Sequence, residues 1–250
     1  MPTSQDPIVL HQFAFSHFNE KARWALDWKG LAYTPHNVLP GFHTKSISKL
    51  SPGSTSTPVL EHAGTPVAGS AAIVEYVDSL NPYRALFPVE PEARAEVEGW
   101  IEWLDDEVGP ASRCALFHEI LDDPAYASRL FSTGQPGIKA FFYHALFPKM
   151  VPVLRSRMSI DDDSAHEARQ FVMDGLKRIE EATRATGYLV GDAFTAADLT
   201  AACLLFPLFF PPELGFSMPD RESAAYDAWR ASWQDAPAKD YVLRMWTDHR

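Results

Sequence analysis

The chain has 250 residues, 46% of them hydrophobic and 22% charged, with a formal net charge of -11; that length and composition suit a folded protein with room for two cores and argue against disorder. Residues 1–87 hold 6 basic and 6 acidic side chains, so the whole acidic excess belongs to the remainder. An acidic surface repels phosphates, which argues against nucleic acid and anionic membranes as partners, and Cys114 and Cys203 are too few and too far apart for a disulfide framework or a metal cluster.

The first residues, MPTSQDPIVLHQF, lack a basic region followed by an apolar core, so a cytoplasmic location is expected. Residues 8–13 (IVLHQF) form a short β-type run, and 16–29 set Phe18, Ala22, Ala25 and Leu26 on one helix face ended by Gly30. A strand over 32–39, a short helix, the Gly-turned hairpin TPVLEHAGTPVA and an amphipathic helix over 70–80 follow. The order βαβαββα predicts a small α/β sheet. Proline-rich NPYRALFPVEP then reads as a linker. Beyond Pro91 the period is helical over 92–121, about 165–185, from 196, and over 221–233, which predicts an all-α second domain. Residues 199–212, interrupted by Thr200 and three prolines, fall short of the roughly 20 needed to span a bilayer and predict a kinked buried helix. Loops are expected at 134–137 and 161–163.

At the turn into the first helix, Ser16 occupies an N-cap position, where unpaired N–H groups and a hydroxyl would together stabilise a thiolate. Lowering a thiol pKa by about two units takes roughly 2.7 kcal/mol, within reach of the two effects combined. Simple capping explains Ser16 as well when it is taken alone. Pro58, in the run Ser56 to Leu60, stands at a strand start, where a cis bond after Thr57 would turn the chain. Ser70 precedes an apolar helical run as a second N-cap. Two helix ends and a special proline suggest a site for a peptide-like anion. Thr195 and Asp198 fit a capping box, with Phe194 and Leu199 as its staple, and belong to folding.

These segments resemble the glutathione transferase superfamily over nearly the whole chain. SHFNEKARWALDWKG is similar to its first helix, LSPGSTSTPVLEHAGTPVAGSAAIVEYVD to its cis-proline, hairpin and Ser-x-x-Ile segment, NPYRALFPVEPEARA to its linker, and GDAFTAADLTAACLL to its C-terminal capping-box helix. The resemblance implies an α/β thioredoxin-like domain over 1–82, a linker over 83–91 and an all-α helical domain over 92–250 lining the electrophile site. It further implies a detoxifying enzyme that activates the thiol of its co-substrate glutathione and transfers it to a small apolar electrophile, as a homodimer and with no metal or organic cofactor.

Residue by residue, the resemblance gives Ser16 the thiol, with Asn19 as second choice. Thr57 with Pro58 would pair with the cysteinyl part, Ser70 would hold the γ-glutamyl carboxylate, and His43 or Lys45 would meet the glycine carboxylate unless they are solvated loop charges. His11 and Gln12 stand where relatives carry a catalytic tyrosine, and the first helix lacks the cysteine of the thiol-disulfide branch. Gly69 replaces the acid or amide that receives the amino group, so either glutathione affinity is reduced or an acid from elsewhere substitutes, with Asp105 and Asp106 as the candidates unless they form an exposed helix face. Phe13, Phe15, Trp103 and Phe117 either line the electrophile pocket or belong to the core. A transferase-like binding protein without turnover is the alternative of a different class, and ether cleavage, dehalogenation or isomerisation would use the same site.

Overall fold

The computed structural model describes residues 6–250. Its first part runs β1 (Ile8–Gln12), α1 (His17–Trp28), β2 (Thr34–Asn37), α2 (Thr44–Leu50), β3 (Val59–His62), β4 (Thr65–Ala68) and α3 (Ser70–Leu80). The strands form a four-stranded sheet in the order β2-β1-β3-β4. β1 runs parallel to β2 and antiparallel to β3, with Leu10 opposite Pro35 on one side and Leu60 on the other. The β3–β4 hairpin turns through Ala63 and Gly64, both at positive φ (51° and 80°), the geometry that matches the twist of paired strands. Ile8, Leu10 and Gln12 alternate inward along β1, as a strand with one buried face requires.

The second part is helical: α4 (Pro91–Trp103), a π-helical turn (Leu104–Val108), α5 (Gly109–Ile120), α6 (Pro124–Phe131), α7 (Gly137–Met158), α8 (Asp162–Thr183), α9 (Ala196–Phe209), α10 (Ala224–Ala231) and α11 (Lys239–His249). Every residue of α9 from Ala196 to Leu208 is buried, because the helix packs against α1 of the sheet unit as well as α4, α5 and α11. Its start is the expected capping box: Asp198 accepts the backbone N–H of Thr195 at 2.9 Å, and Thr195 Oγ1 accepts that of Ala197 at 3.3 Å. α11 closes this core with Trp246, which lies 4.8 Å from Trp24 of α1 and donates its indole N–H to the Ala202 carbonyl.

In the helical part Asp162 and Asp163, expected in a loop, open α8 behind the N-cap Asp161, and the structure corrects the sequence reading in two further places. The expected single helix over 92–121 contains the π turn, in which the Gly109 N–H reaches back five residues to the Leu104 carbonyl. Pro110 lacks an N–H, and its ring would clash with the carbonyl four residues earlier, so an inserted residue relieves the helix there. Second, α6, α7 and α11 were not expected. α7 carries Pro148 and Pro152 in its interior and buries only Tyr143, Phe147 and Val151, while Ile138, Phe141, Phe142 and Leu146 stay exposed. Apolar residues all round its circumference hide the helical period. No helix among the described residues is long and apolar enough to cross a membrane.

Candidate functional site

Ser16 is the N-cap residue of α1 in extended backbone (φ -79°, ψ 131°), yet its side chain makes no capping hydrogen bond. The turn before it is fixed from behind. Arg23, in the second turn of α1, donates to the Ala14 carbonyl at 2.9 Å and to Gln12 Oε1 at 2.7 Å. Glu20 holds Arg23 in place at 2.6 Å. The Ser16 hydroxyl therefore sits on a rigid turn at the positive end of a helix, on the wall of a cavity.

That cavity, of about 260 Å³, is mostly apolar. Phe13, Phe15 and Phe117 lie on its wall. Phe131 of α6 joins them, stacked on Phe15 at 4.4 Å and 5.1 Å from Phe117. Trp103 does not belong to it, which corrects the sequence reading. It packs instead toward α8, where Gly175 leaves room for its ring, 5.5 Å from Trp100 and 4.2 Å beneath the Arg178 guanidinium. His17 also reaches the wall, buried, with Nε2 3.0 Å from the Gly109 carbonyl. Burial and the nearby Arg113 charge push its pKa down to about 3, so it is neutral and donates that bond.

A second cavity, of about 490 Å³ and more polar, adjoins the first, and Phe18, Ser56, Thr57 and Arg113 belong to both walls. Pro58, Gly69, Ser70, Asp105 and Asp106 line the rest of its polar side. The Thr57–Pro58 bond is cis. Ser70 is the first residue of α3 and not its cap, which corrects the sequence reading. Gly69 takes the cap position at φ +93°, where a side chain is strained, and no atom lies within 4 Å of where its Cβ would stand. The unpaired N–H groups of the α3 N-terminus thus open onto this cavity.

The remaining predicted residues separate. Both oxygens of Asp105 accept from the buried Lys21, at 2.9 and 2.7 Å, whereas the exposed Asp106 makes no ion pair among the described residues. Asn19 is buried behind the site and donates to Thr57 Oγ1 at 3.2 Å, on neither wall. His43 lies on the apolar cavity, edge-on to Phe13 at 4.7 Å, with its pKa lowered by burial. Lys45 is exposed on α2 and reaches neither wall. Away from both cavities, His11 stacks on His36 at 4.8 Å and meets Glu61 at 3.3 Å. Sequence reasoning missed Arg113, His17 and Phe131; the faint signal for the first was a lone basic residue ahead of the apolar run Cys114 to Phe117.

A mixed sheet whose helix N-termini meet a cis-proline turn, roofed by a helical unit that supplies an apolar wall, defines the two-domain thioredoxin-like class. Residues 10–85 match the family model described as the N-terminal domain of glutathione S-transferase, and residues 131–231 match that of its C-terminal domain. The chain belongs to the glutathione transferase superfamily. It is similar to glutathione S-transferase U10 of Arabidopsis thaliana, 32% identical over 110 residues (43% of this chain, 47% of that protein). It also resembles a probable glutathione S-transferase of Nicotiana tabacum, 31% identical over 101 residues (40% and 45%). The matches thus span about half the length of these curated relatives. Among solved structures, a glutathione S-transferase from Rhodospirillum rubrum shares the fold with a TM-score of 0.61 at 22% identity, covering 97% of this chain and 93% of that one. The β-etherase LigF from Sphingobium sp. does so with a TM-score of 0.60 at 21% identity (97% and 99%).

Proposed function

We propose that this protein is a glutathione transferase that binds glutathione across the two joined cavities and transfers its sulfur to an apolar electrophile. The observation that carries this reading is the shared edge at Ser56 and Thr57, with an anion-receptive helix end on one side and Ser16 facing aromatic walls on the other. In this reading the γ-glutamyl carboxylate takes the α3 N-terminus at Ser70, Asp106 takes the amino group that Gly69 has no side chain to receive, and Thr57 pairs with the cysteinyl backbone. His43 meets the glycine end. The thiol then lies at Ser16, whose hydroxyl donates to the thiolate while the α1 dipole lowers its pKa. Orientation beside the apolar cavity and ionisation of the thiol are the chemistry the transfer needs.

Glutathione should stabilise the folded protein by about 2.7 kcal/mol at about 100 times its dissociation constant. A melting scan with millimolar glutathione, paired with turnover of a chromogenic aryl halide, tests the proposal. No melting shift refutes it, and a shift without turnover favours a transferase-like binding protein. The same reading carries a cytoplasmic homodimer, and light scattering that returned 27.9 kDa at micromolar protein would remove the dimer.

A further inference from the structure

We propose that the electrophile taken by this site carries a carboxylate on its apolar body, and that the Arg113 guanidinium binds it. The proposal rests on the transferase reading above and adds the substrate's charge to it. Arg113 belongs to α5, where it precedes Leu116 and Phe117 by three and four residues, so the three side chains share one helix face. All three line the apolar cavity. Arg113 also stands on the wall of the adjoining polar cavity, at the junction where the sulfur and its target would meet.

No acidic side chain pairs with Arg113 among the described residues, although it shares the wall of the polar cavity with Asp105 and Asp106 and that of a further cavity with Glu107 and Glu167. Among the described residues no carboxylate, carbonyl or hydroxyl accepts a hydrogen bond from it, and its recorded ring contact is Phe18, 6.0 Å away. The apolar cavity has no Asp or Glu on its wall. Its two histidines are held toward the neutral form by burial. Arg113 is therefore the one fixed charge on that wall, a cation in a protein of net charge -11. Burial lowers its own pKa more than Cys114 raises it, as expected of a guanidinium short of acceptors. A partly buried cation without acceptors is unfavourable until an anion arrives, and a planar carboxylate fits the guanidinium fork in bidentate fashion. Glutathione's own carboxylates have other receivers in the reading above, the α3 N-terminus and the His43 side. The anion left for Arg113 is the second substrate's.

The test uses two near-isosteric aryl chlorides, 4-chloro-3-nitrobenzoate and 4-chloro-3-nitrobenzamide. In each, the glutathione sulfur bonds to the ring carbon bearing chlorine, chloride leaves with the C–Cl electron pair, and the thiol proton passes to solvent. Each kcat/KM is divided by the uncatalysed rate constant with glutathione, which removes the difference in ring activation. The wild-type ratio should favour the benzoate by roughly ten- to a hundredfold, the range of a hydrogen bond to a charged group. Arg113→Gln should bring the ratio to about one, and Arg113→Lys should keep part of it. A wild-type ratio at or below one, or a preference that survives Arg113→Gln, overturns the proposal. So does a rise in glutathione KM in Arg113→Gln with the ratio unchanged, because the arginine would then serve glutathione. If neither chloride turns over, quenching of tryptophan fluorescence by 3-nitrobenzoate against 3-nitrobenzamide, in wild type and Arg113→Gln, decides the same question. A missing melting shift with glutathione marks failure of the transferase reading separately.

Discussion

Lys21 of α1 and Asp105 of the π turn form an ion pair of 2.7 Å that ties the sheet unit to the helical unit, with the lysine side chain fully buried and the aspartate 16% exposed. Burial lowers the Lys21 pKa and Asp105 acts to raise it again. Removing one partner leaves an uncompensated buried charge, which typically costs 3–5 kcal/mol, roughly. Asp105→Asn should therefore lower unfolding free energy by about 3 kcal/mol in urea titrations. Adding Lys21→Met should restore at least about half of that, since the orphan charge is gone. A fully stable Asp105→Asn protein would mean that Lys21 finds water or another acceptor.

Asp106, its neighbour in sequence, should behave in the opposite way. It is exposed on the polar cavity with no ion pair among the described residues, so its charge should contribute little to stability. Asp106→Asn should leave the melting temperature of the free protein nearly unchanged and raise the glutathione dissociation constant by roughly three- to tenfold, the modest range expected of an exposed charge contact. Titration calorimetry reads this directly. An unaltered dissociation constant would show that the amino group is received elsewhere.

The buried neutral His17 gives the fold a specific acid sensitivity. Its folded pKa of about 3 lies below the ordinary imidazole value of 6.5, so between the two the unfolded chain binds a proton that the native state does not. Stability from this group is fully present above about pH 6.5 and falls as the pH drops toward 3, by about 1.4 kcal/mol per unit. Between pH 7 and 4.5 the wild type should thus lose roughly 2–3 kcal/mol more than His17→Gln, whose amide does not titrate. Urea unfolding at the two pH values checks the difference. Equal losses would show that His17 is protonated in the native state.

Much of the first unit is legible in the sequence because its signals are local. Gly64 marks the hairpin turn at positive φ, Pro58 marks the cis turn, and the short run from Ile8 marks a strand. Ser16, Thr57 and Ser70 were found because each sits at the end of such an element. The helical unit is less legible where helices are apolar on every side, as in α7, or interrupted by proline chemistry, as at Pro110. Phe131 was missed with its helix α6, and the choice between pocket and packing for Trp103 is not legible because the gap left by Gly175 lies 72 residues away on α8. Arg113 escaped because its isolation from acceptors is a property of three dimensions.

The role proposed for Ser16 separates cleanly from capping, because its hydroxyl makes no cap hydrogen bond. A serine that caps stabilises its helix by typically about 1 kcal/mol relative to alanine. Ser16→Ala should instead change unfolding free energy by less than about 0.5 kcal/mol, as a surface substitution does. Glutathione affinity should also persist, since the α3 N-terminus, Thr57 and Asp106 carry it in the proposed arrangement. What the variant loses is a hydrogen bond to the thiolate. That raises the bound thiol's pKa and slows transfer at neutral pH by roughly ten- to a hundredfold, with the pH–rate profile moved to higher pH. Ser16→Cys should put a thiolate at the same helix end, able to attack glutathione disulfide, form the mixed disulfide and release one glutathione. If Ser16→Ala left the pH–rate profile in place, the α1 dipole would be activating the thiol without the serine hydroxyl.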